Sequence, residues 1–127
     1  VAYSPTAKGM LTGKYRSLDS FAVDDTRRGI PRYSAENLPA NLAIIDRFVA
    51  LADNKGCTPA QLAISWVAAQ GIIPIPGTRV SSRLDENFAA RNVELSQDEL
   101  DEIRHLIDNN RPVGERYSAA KLALCGN

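Results

Sequence analysis

Residues 71–79 read Gly-Ile-Ile-Pro-Ile-Pro-Gly-Thr-Arg. Ile72, Ile73 and Ile75 are continuous rather than alternating, which predicts a parallel strand over 71–76 covered on both faces. Gly77-Thr78 breaks it. A second short strand is expected at Val1-Ala2-Tyr3, stopped by Ser4-Pro5. Two strands can neither close a barrel nor bury a two-sided isoleucine run. The expected class is therefore α/β and incomplete as given: a fragment of a larger sheet protein, or a chain completed by another polypeptide. A strand that starts at residue 1 points the same way. The competing reading, a small autonomous helical domain, leaves those isoleucines without neighbours.

Helical patterns lie on both sides of this strand. Leu42, Ile45, Phe48, Val49 and Ala52 form one stripe over about 38–54, ended by Gly56. Thr58, Pro59 and Gln61 make a start signal with a capping box, and the helix they open stops at Gly71. Leu62, Ala63, Trp66, Val67 and Ala69 make it apolar over a wide arc. Ser81 or Ser82 is expected to cap a third helix, within 81–91. Ser96 with Glu99 starts a fourth over 96–109, where Leu95 can staple onto Leu100 and Leu100, Ile103, Leu106 and Ile107 face inward. Residues 110–127 are a tail. Residues 6–35, by contrast, show no sustained period, and thirty-residue connections are usually binding loops, lids or disorder.

Composition sets outer limits. The 127 residues carry 15 basic and 15 acidic side chains, so the formal net charge is zero. That balance argues against a phosphate-backbone binder or an anionic-membrane binder. No apolar run is long enough to cross a bilayer, and no secretory signal opens the chain. Cys57 and Cys125 fit neither a disulfide framework nor a metal pattern, so a cytoplasmic setting is expected. No metal-ligand spacing and no Ser-His-Asp arrangement is present.

Ligands of such sheets sit at the carboxyl ends of strands. Gly77 lets backbone approach a ligand, and Thr78 with the amides of the third helix can donate to phosphate oxygens. Arg79 and Arg83, about a turn apart, can converge on one dianionic phosphate. Glu86 and Asn87 can read the edge of an adenine. The bland alternative is a solvated helix start with a surface pair between Arg83 and Glu86, worth little. At the first strand end, Tyr3 is either a packed aromatic or a platform for a flat ring such as nicotinamide. Ser4 either caps a turn or donates to a pyrophosphate. Lys8 and Lys14 read as loop charges, Asp24-Asp25 as a pairing or capping site, and Trp66 as core. His105 reads as a surface residue, and both cysteines as inert.

Several segments combine in order. They are Val-Ala-Tyr-Ser-Pro at 1–5, Lys-Gly-Met-Leu-Thr-Gly-Lys at 8–14, Pro-Arg-Tyr at 31–33 with Glu36-Asn37, and Thr-Pro-Ala-Gln-Leu-Ala at 58–63. Ile-Pro-Gly-Thr-Arg at 75–79, Arg-Leu-Asp-Glu-Asn at 83–87 and Gly-Glu-Arg-Tyr at 114–117 complete the set. The whole resembles the carboxyl-terminal part of aldo-keto reductases, nearest to the soluble branch acting on aldehydes.

The resemblance implies a (β/α)8 TIM barrel of which 1–5 is strand 7 and 71–76 strand 8. It implies a cofactor and substrate loop at 6–37 and an accessory helix at 96–109. It also implies NADPH-dependent reduction of an aldehyde or ketone, without metal. On the family pattern Tyr3 stacks on the nicotinamide, and Ser4, Pro5, Thr6 and Lys8 meet the pyrophosphate. Thr78 and Arg79, following Gly77, bind the 2'-phosphate with Arg83, while Glu86 and Asn87 bind adenine. Thr6 stands where this branch more often has Leu. The family's catalytic Asp, Tyr, Lys and His match no position here, so no catalytic residue is assigned and Tyr3 is not the proton donor. The expected partner is the missing amino-terminal part of the barrel, and the segment alone is expected to be inactive. Two other readings stand beside this one: a non-catalytic cofactor-binding subunit like potassium-channel beta subunits, and a truncated product without function.

Overall fold

The structure, a computed structural model, describes residues 1–124. Cys125 lies outside them. Two strands, β1 (Ala2–Tyr3) and β2 (Pro74–Ile75), pair in parallel with Ala2 opposite Pro74 and Tyr3 opposite Ile75. Five helices follow the sequence: α1 (Leu38–Lys55), α2 (Pro59–Ala69), α3 (Ser81–Ala89), α4 (Gln97–Asn109) and α5 (Ala119–Leu122).

The ladder is shorter than the strand expected over 71–76. Ile72, Ile73 and Ile75 are 42%, 67% and 51% exposed, so the run expected to be covered on both faces has open faces among the described residues. With one neighbour, only Pro74 and Ile75 are held in register.

Helix starts and stops have local causes. Thr58 accepts from the Gln61 amide at 3.2 Å, and the Gln61 side chain accepts from the Thr58 amide at 3.1 Å. Ser96 and Glu99 repeat this at α4. Each such cap is worth about 1 kcal/mol. α1 ends at Gly56, whose φ of 73° lets its N–H reach back to the carbonyls of Ala52 and Asp53. α3 departs from expectation. Its cap is Val80, with no side-chain cap from Ser81 or Ser82; instead the Thr78 hydroxyl accepts from the Val80 amide at 3.1 Å.

The core has two parts. One joins Phe48 and Ala52 of α1, Leu62 and Ala63 of α2, and Ile103 and Leu106 of α4, with Trp66 and Leu95 at its margin. Burying each large aliphatic or aromatic side chain contributes roughly 1.5–3 kcal/mol. Ile107, expected on the inner face of α4, is 43% exposed; Ile103 and Leu106 supply the buried apolar contact with α1 and α2, flanked by the Lys55–Glu99 pair at 2.8 Å and by Arg104 over the Trp66 ring.

The other part belongs to the segment before α1. That segment lacks a period, yet it folds into short 3₁₀ turns at Ala7–Thr12, Leu18–Ser20, Thr26–Gly29 and Pro31–Tyr33. Met10, Phe21, Ile30 and Tyr33 are buried against Leu38 and Ile45 of α1. Tyr15 stacks on Phe21 at 4.7 Å, and Phe21 meets Tyr33 edge-on at 5.0 Å. The Arg27 guanidinium lies 4.3 Å from the Tyr15 ring and 4.7 Å from Phe21. Asp25 caps the turn through the Arg27 amide at 2.9 Å and pairs with its side chain at 2.6 Å. A packed aromatic cluster, not a helix or strand, orders this stretch.

Candidate functional site

Both strands run the same way, so the chain leaves β1 and β2 at one end of the ladder. After β1 the backbone enters an unusual turn. Ser4, Ala7 and Lys8 have φ of 52°, 51° and 57°, the non-glycine residues with positive φ among those described. A left-handed conformation costs an L-residue on the order of 1–2 kcal/mol, so the surroundings must hold it in place. They do so at two carbonyls. The Arg27 guanidinium donates to the Lys8 carbonyl at 3.1 Å, and the Tyr33 hydroxyl donates to the Ala7 carbonyl at 3.2 Å. Burial pushes the Tyr33 phenol up to about 12, so it remains a donor at neutral pH.

This turn opens on a cavity of about 270 Å³. Met10, Ile30 and Tyr33 form its buried side, with Ser4, Lys8, Arg32, Arg116 and Tyr117 around them. The tail supplies the last two because it is pinned. The Asn41 amide, 2% exposed, donates to the carbonyls of Arg32 and Val113 at 2.9 Å each, and its oxygen accepts from the Val113 amide at 2.8 Å. Arg32 Nε donates to the Gly114 carbonyl at 3.0 Å. Gly114 has φ of 86°, and a Cβ there would lie 2.7 Å from the Asn37 side chain and 3.0 Å from the Pro31 carbonyl carbon. Only glycine permits that approach.

Tyr3, half exposed, carries the Arg116 guanidinium 4.9 Å from its ring centroid, and Arg116 Nη2 donates to its hydroxyl. Lys8 Nζ lies 4.2 Å from the Tyr117 centroid. The Tyr117 phenol sits below its ordinary value, first because of its hydrogen bond with Tyr3, with the charges of Lys8 and Arg116 adding to it. Tyr3 thus presents a ring at this end of the ladder.

The second cluster follows β2. Gly77, Arg79 and Arg83 are exposed, and Thr78, Glu86 and Asn87 half-buried. The Glu86 carbonyl accepts from the Gln61 side chain at 3.2 Å, which ties α3 to α2. No ion pair joins Arg83 to Glu86 among the described residues. Arg83 instead acts on Tyr15, whose phenol is held below its ordinary value first by a hydrogen bond from Arg27, with Arg83 contributing less.

The expected residues thus fall in two groups. Ser4 and Lys8 line the cavity and Tyr3 adjoins it through Arg116. Pro5 and Thr6 lie in the strained turn, where the Thr6 carbonyl accepts from Gly9 at 3.0 Å. Gly77, Thr78, Arg79, Arg83, Glu86 and Asn87 lie outside that cavity. Arg32, Arg116 and Tyr117 were not assigned to a site from sequence. Gly-Glu-Arg-Tyr at 114–117 was visible as a motif, but nothing local showed that Asn41 folds it back.

His105 is an exposed helix residue that contacts Asn109, and Cys57 is half-buried with its thiol pushed up by burial. Among the described residues no group of three or more His, Cys, Asp or Glu could hold a metal ion, and no helix is long and apolar enough to cross a membrane.

Comparison with known proteins gives a consistent result. The profile of the aldo/keto reductase family matches residues 1–108. An aldo-keto reductase of Gibberella moniliformis is 43% identical over 99% of this chain and 39% of its own length. The Schizosaccharomyces pombe aldo-keto reductase yakc, named with NADP(+), is 44% identical over 92% of this chain and 35% of its own length. The solved structure of a glycerol dehydrogenase from Gluconobacter oxydans superposes with a TM-score of 0.75 at 26% identity, covering 88% of this chain and 35% of that one. The chain spans 35–39% of the length of these relatives, as part of a barrel would. On its sequence and on its fold, this chain belongs to the aldo/keto reductase family.

Proposed function

We propose that this chain is the cofactor-holding part of an NADPH-dependent reductase of aldehydes or ketones, contributing strands 7 and 8 of a (β/α)8 barrel. One observation carries the proposal. The parallel register of Tyr3 against Ile75 sends the Ser4–Gly9 turn and the Gly77–Arg83 stretch out of the same end of the sheet, where such sheets bind ligands.

The residues suit the cofactor's parts. Tyr3 offers a half-exposed ring to a planar group. Ser4 and Lys8 face a cavity with positive charge around it, which suits a pyrophosphate. Arg79 and Arg83 are exposed forks without ion pairs among the described residues, available to a 2'-phosphate. Glu86 and Asn87 lie on the next turn of α3, for adenine. When bound, NADPH supplies the hydride for the carbonyl carbon. The protein's own part is to hold strained backbone at Ser4, Ala7 and Lys8 so that the turn is preformed. The proton donor and its partners lie outside these residues, so the segment alone is expected to be inactive. The amino-terminal part of the barrel completes the site and the substrate pocket, in a cytoplasmic protein.

The test is cofactor preference in the complete protein. Replacing Arg79 and Arg83 together by Ala should cut the preference for NADPH over NADH by on the order of 10–100-fold. Unchanged discrimination would reject the assignment. Carbonyl reduction by the isolated 127 residues would reject the division of labour.

A further inference from the structure

We propose that Arg116 is a positioning residue: it reaches from the carboxyl-terminal tail to Tyr3 and fixes that ring in the orientation on which the nicotinamide stacks. The inference rests on the reading of Tyr3 as the nicotinamide platform.

Tyr3 ends a two-residue strand and is 52% exposed. Pairing with Ile75 fixes its backbone, but the ring can still turn about two side-chain torsions. A platform that turns must be ordered when its ligand arrives, and that ordering weakens binding. Arg116 restrains both torsions. Its Nη2 donates to the Tyr3 hydroxyl, which anchors the far end of the side chain and so the first torsion. Its guanidinium lies over the ring, 4.9 Å from the centroid. A cation is drawn to the face of an aromatic ring, and this sets the second torsion. With the guanidinium against one face, the opposite face is the one assigned to the nicotinamide.

Arg116 is itself held in place. Before it, Asn41 donates to the Val113 carbonyl at 2.9 Å and accepts from the Val113 amide at 2.8 Å, and Arg32 Nε donates to the Gly114 carbonyl at 3.0 Å. After it, the Tyr117 ring lies 4.2 Å from Lys8 Nζ and 5.1 Å from the Arg116 guanidinium. The ion pairs among the described residues, Arg16–Asp46, Arg27–Asp25 and Lys55–Glu99, leave Arg116 out. Its contacts are two tyrosine rings and a hydroxyl, so its action passes through Tyr3.

The test compares two ligands by calorimetry on the complete protein: NADPH, and 2'-phosphoadenosine 5'-diphosphoribose, which keeps every phosphate and lacks the nicotinamide. Arg116 is exposed, so Arg116→Ala should keep the fold, which an unchanged thermal midpoint checks. The NADPH dissociation constant should rise about five- to tenfold in Arg116→Ala and recover in part in Arg116→Lys. The constant for the truncated ligand should stay within about twofold. Once Tyr3 is replaced by Ala, adding Arg116→Ala should change NADPH binding no further, because the two residues act as one unit. An equal loss for both ligands would make Arg116 a phosphate contact and overturn the proposal. So would an unchanged NADPH constant in Arg116→Ala, or a full Arg116→Ala loss that persists without the Tyr3 ring. Weaker NADPH binding in Tyr3→Ala with a silent Arg116→Ala rejects the positioning role alone. Unchanged NADPH binding in Tyr3→Ala rejects the platform reading and the inference with it.

Discussion

Asn41 is the point at which the tail depends on one side chain. Asn41→Ala removes its hydrogen bonds to the Arg32 carbonyl and to the Val113 carbonyl and amide, of 2.9, 2.9 and 2.8 Å. Each bond is worth about 1 kcal/mol net, and a buried group left unpaired costs about 1–3 kcal/mol more. Val113 is 45% exposed, so water can serve both its polar groups once the tail lifts, and the added penalty falls mainly on the half-buried Arg32 carbonyl. Of these bonds only the two to Val113 hold the tail, so its local opening gains about 2 kcal/mol, which is on the order of thirtyfold in that equilibrium, while the loss at the Arg32 carbonyl falls on the segment before α1. Hydrogen exchange at the Val113 amide reads it directly, by NMR on the complete protein. The variant should exchange on the order of thirtyfold faster there, while amides in the middle of α1 change far less. A Val113 rate within about twofold of wild type would refute the idea that Asn41 holds the tail.

Two other perturbations follow from the same geometry. Gly114→Ala places a Cβ 2.7 Å from the Asn37 side chain at a φ of 86°; it should destabilise by about 1–3 kcal/mol in urea unfolding, and a neutral result would show that the tail can re-seat. The Tyr33 phenol is raised from about 10 to about 12 by burial. Its neutral form therefore stabilises the folded state in full below pH 10, and that contribution is lost as pH rises through about 12. Urea midpoints should fall across that alkaline window, and Tyr33→Phe should flatten the fall; an equal fall in the variant would assign it elsewhere.

What the sequence revealed was what local chemistry controls. Thr58 with Gln61 and Ser96 with Glu99 announce their helices because each cap closes within three residues. Ile45, Phe48 and Ala52 share a face because a helix repeats every 3.6 residues. Tyr3, Ser4 and the Gly77–Arg79 stretch were placed by resemblance, and the parallel pairing brings them to one end. What stayed hidden rests on distant contacts. No period marks residues 6–35, because aromatic rings around Arg27 order them. Arg116 reaches Tyr3 across 113 residues, and no spacing rule extends that far. Ser81 and Ser82 were plausible caps by type, but the Thr78 hydroxyl already satisfies the Val80 amide and sets the start of α3.

The central claim is that the cofactor lies across the ends of β1 and β2. Hydrogen–deuterium exchange of the complete protein, with and without NADP+, tests it most directly. The account predicts added protection in peptides covering 3–14 and 76–88, with residues 97–109 of α4 unchanged. Protection confined to α4, or none in either of the first two regions at saturating cofactor, would contradict it.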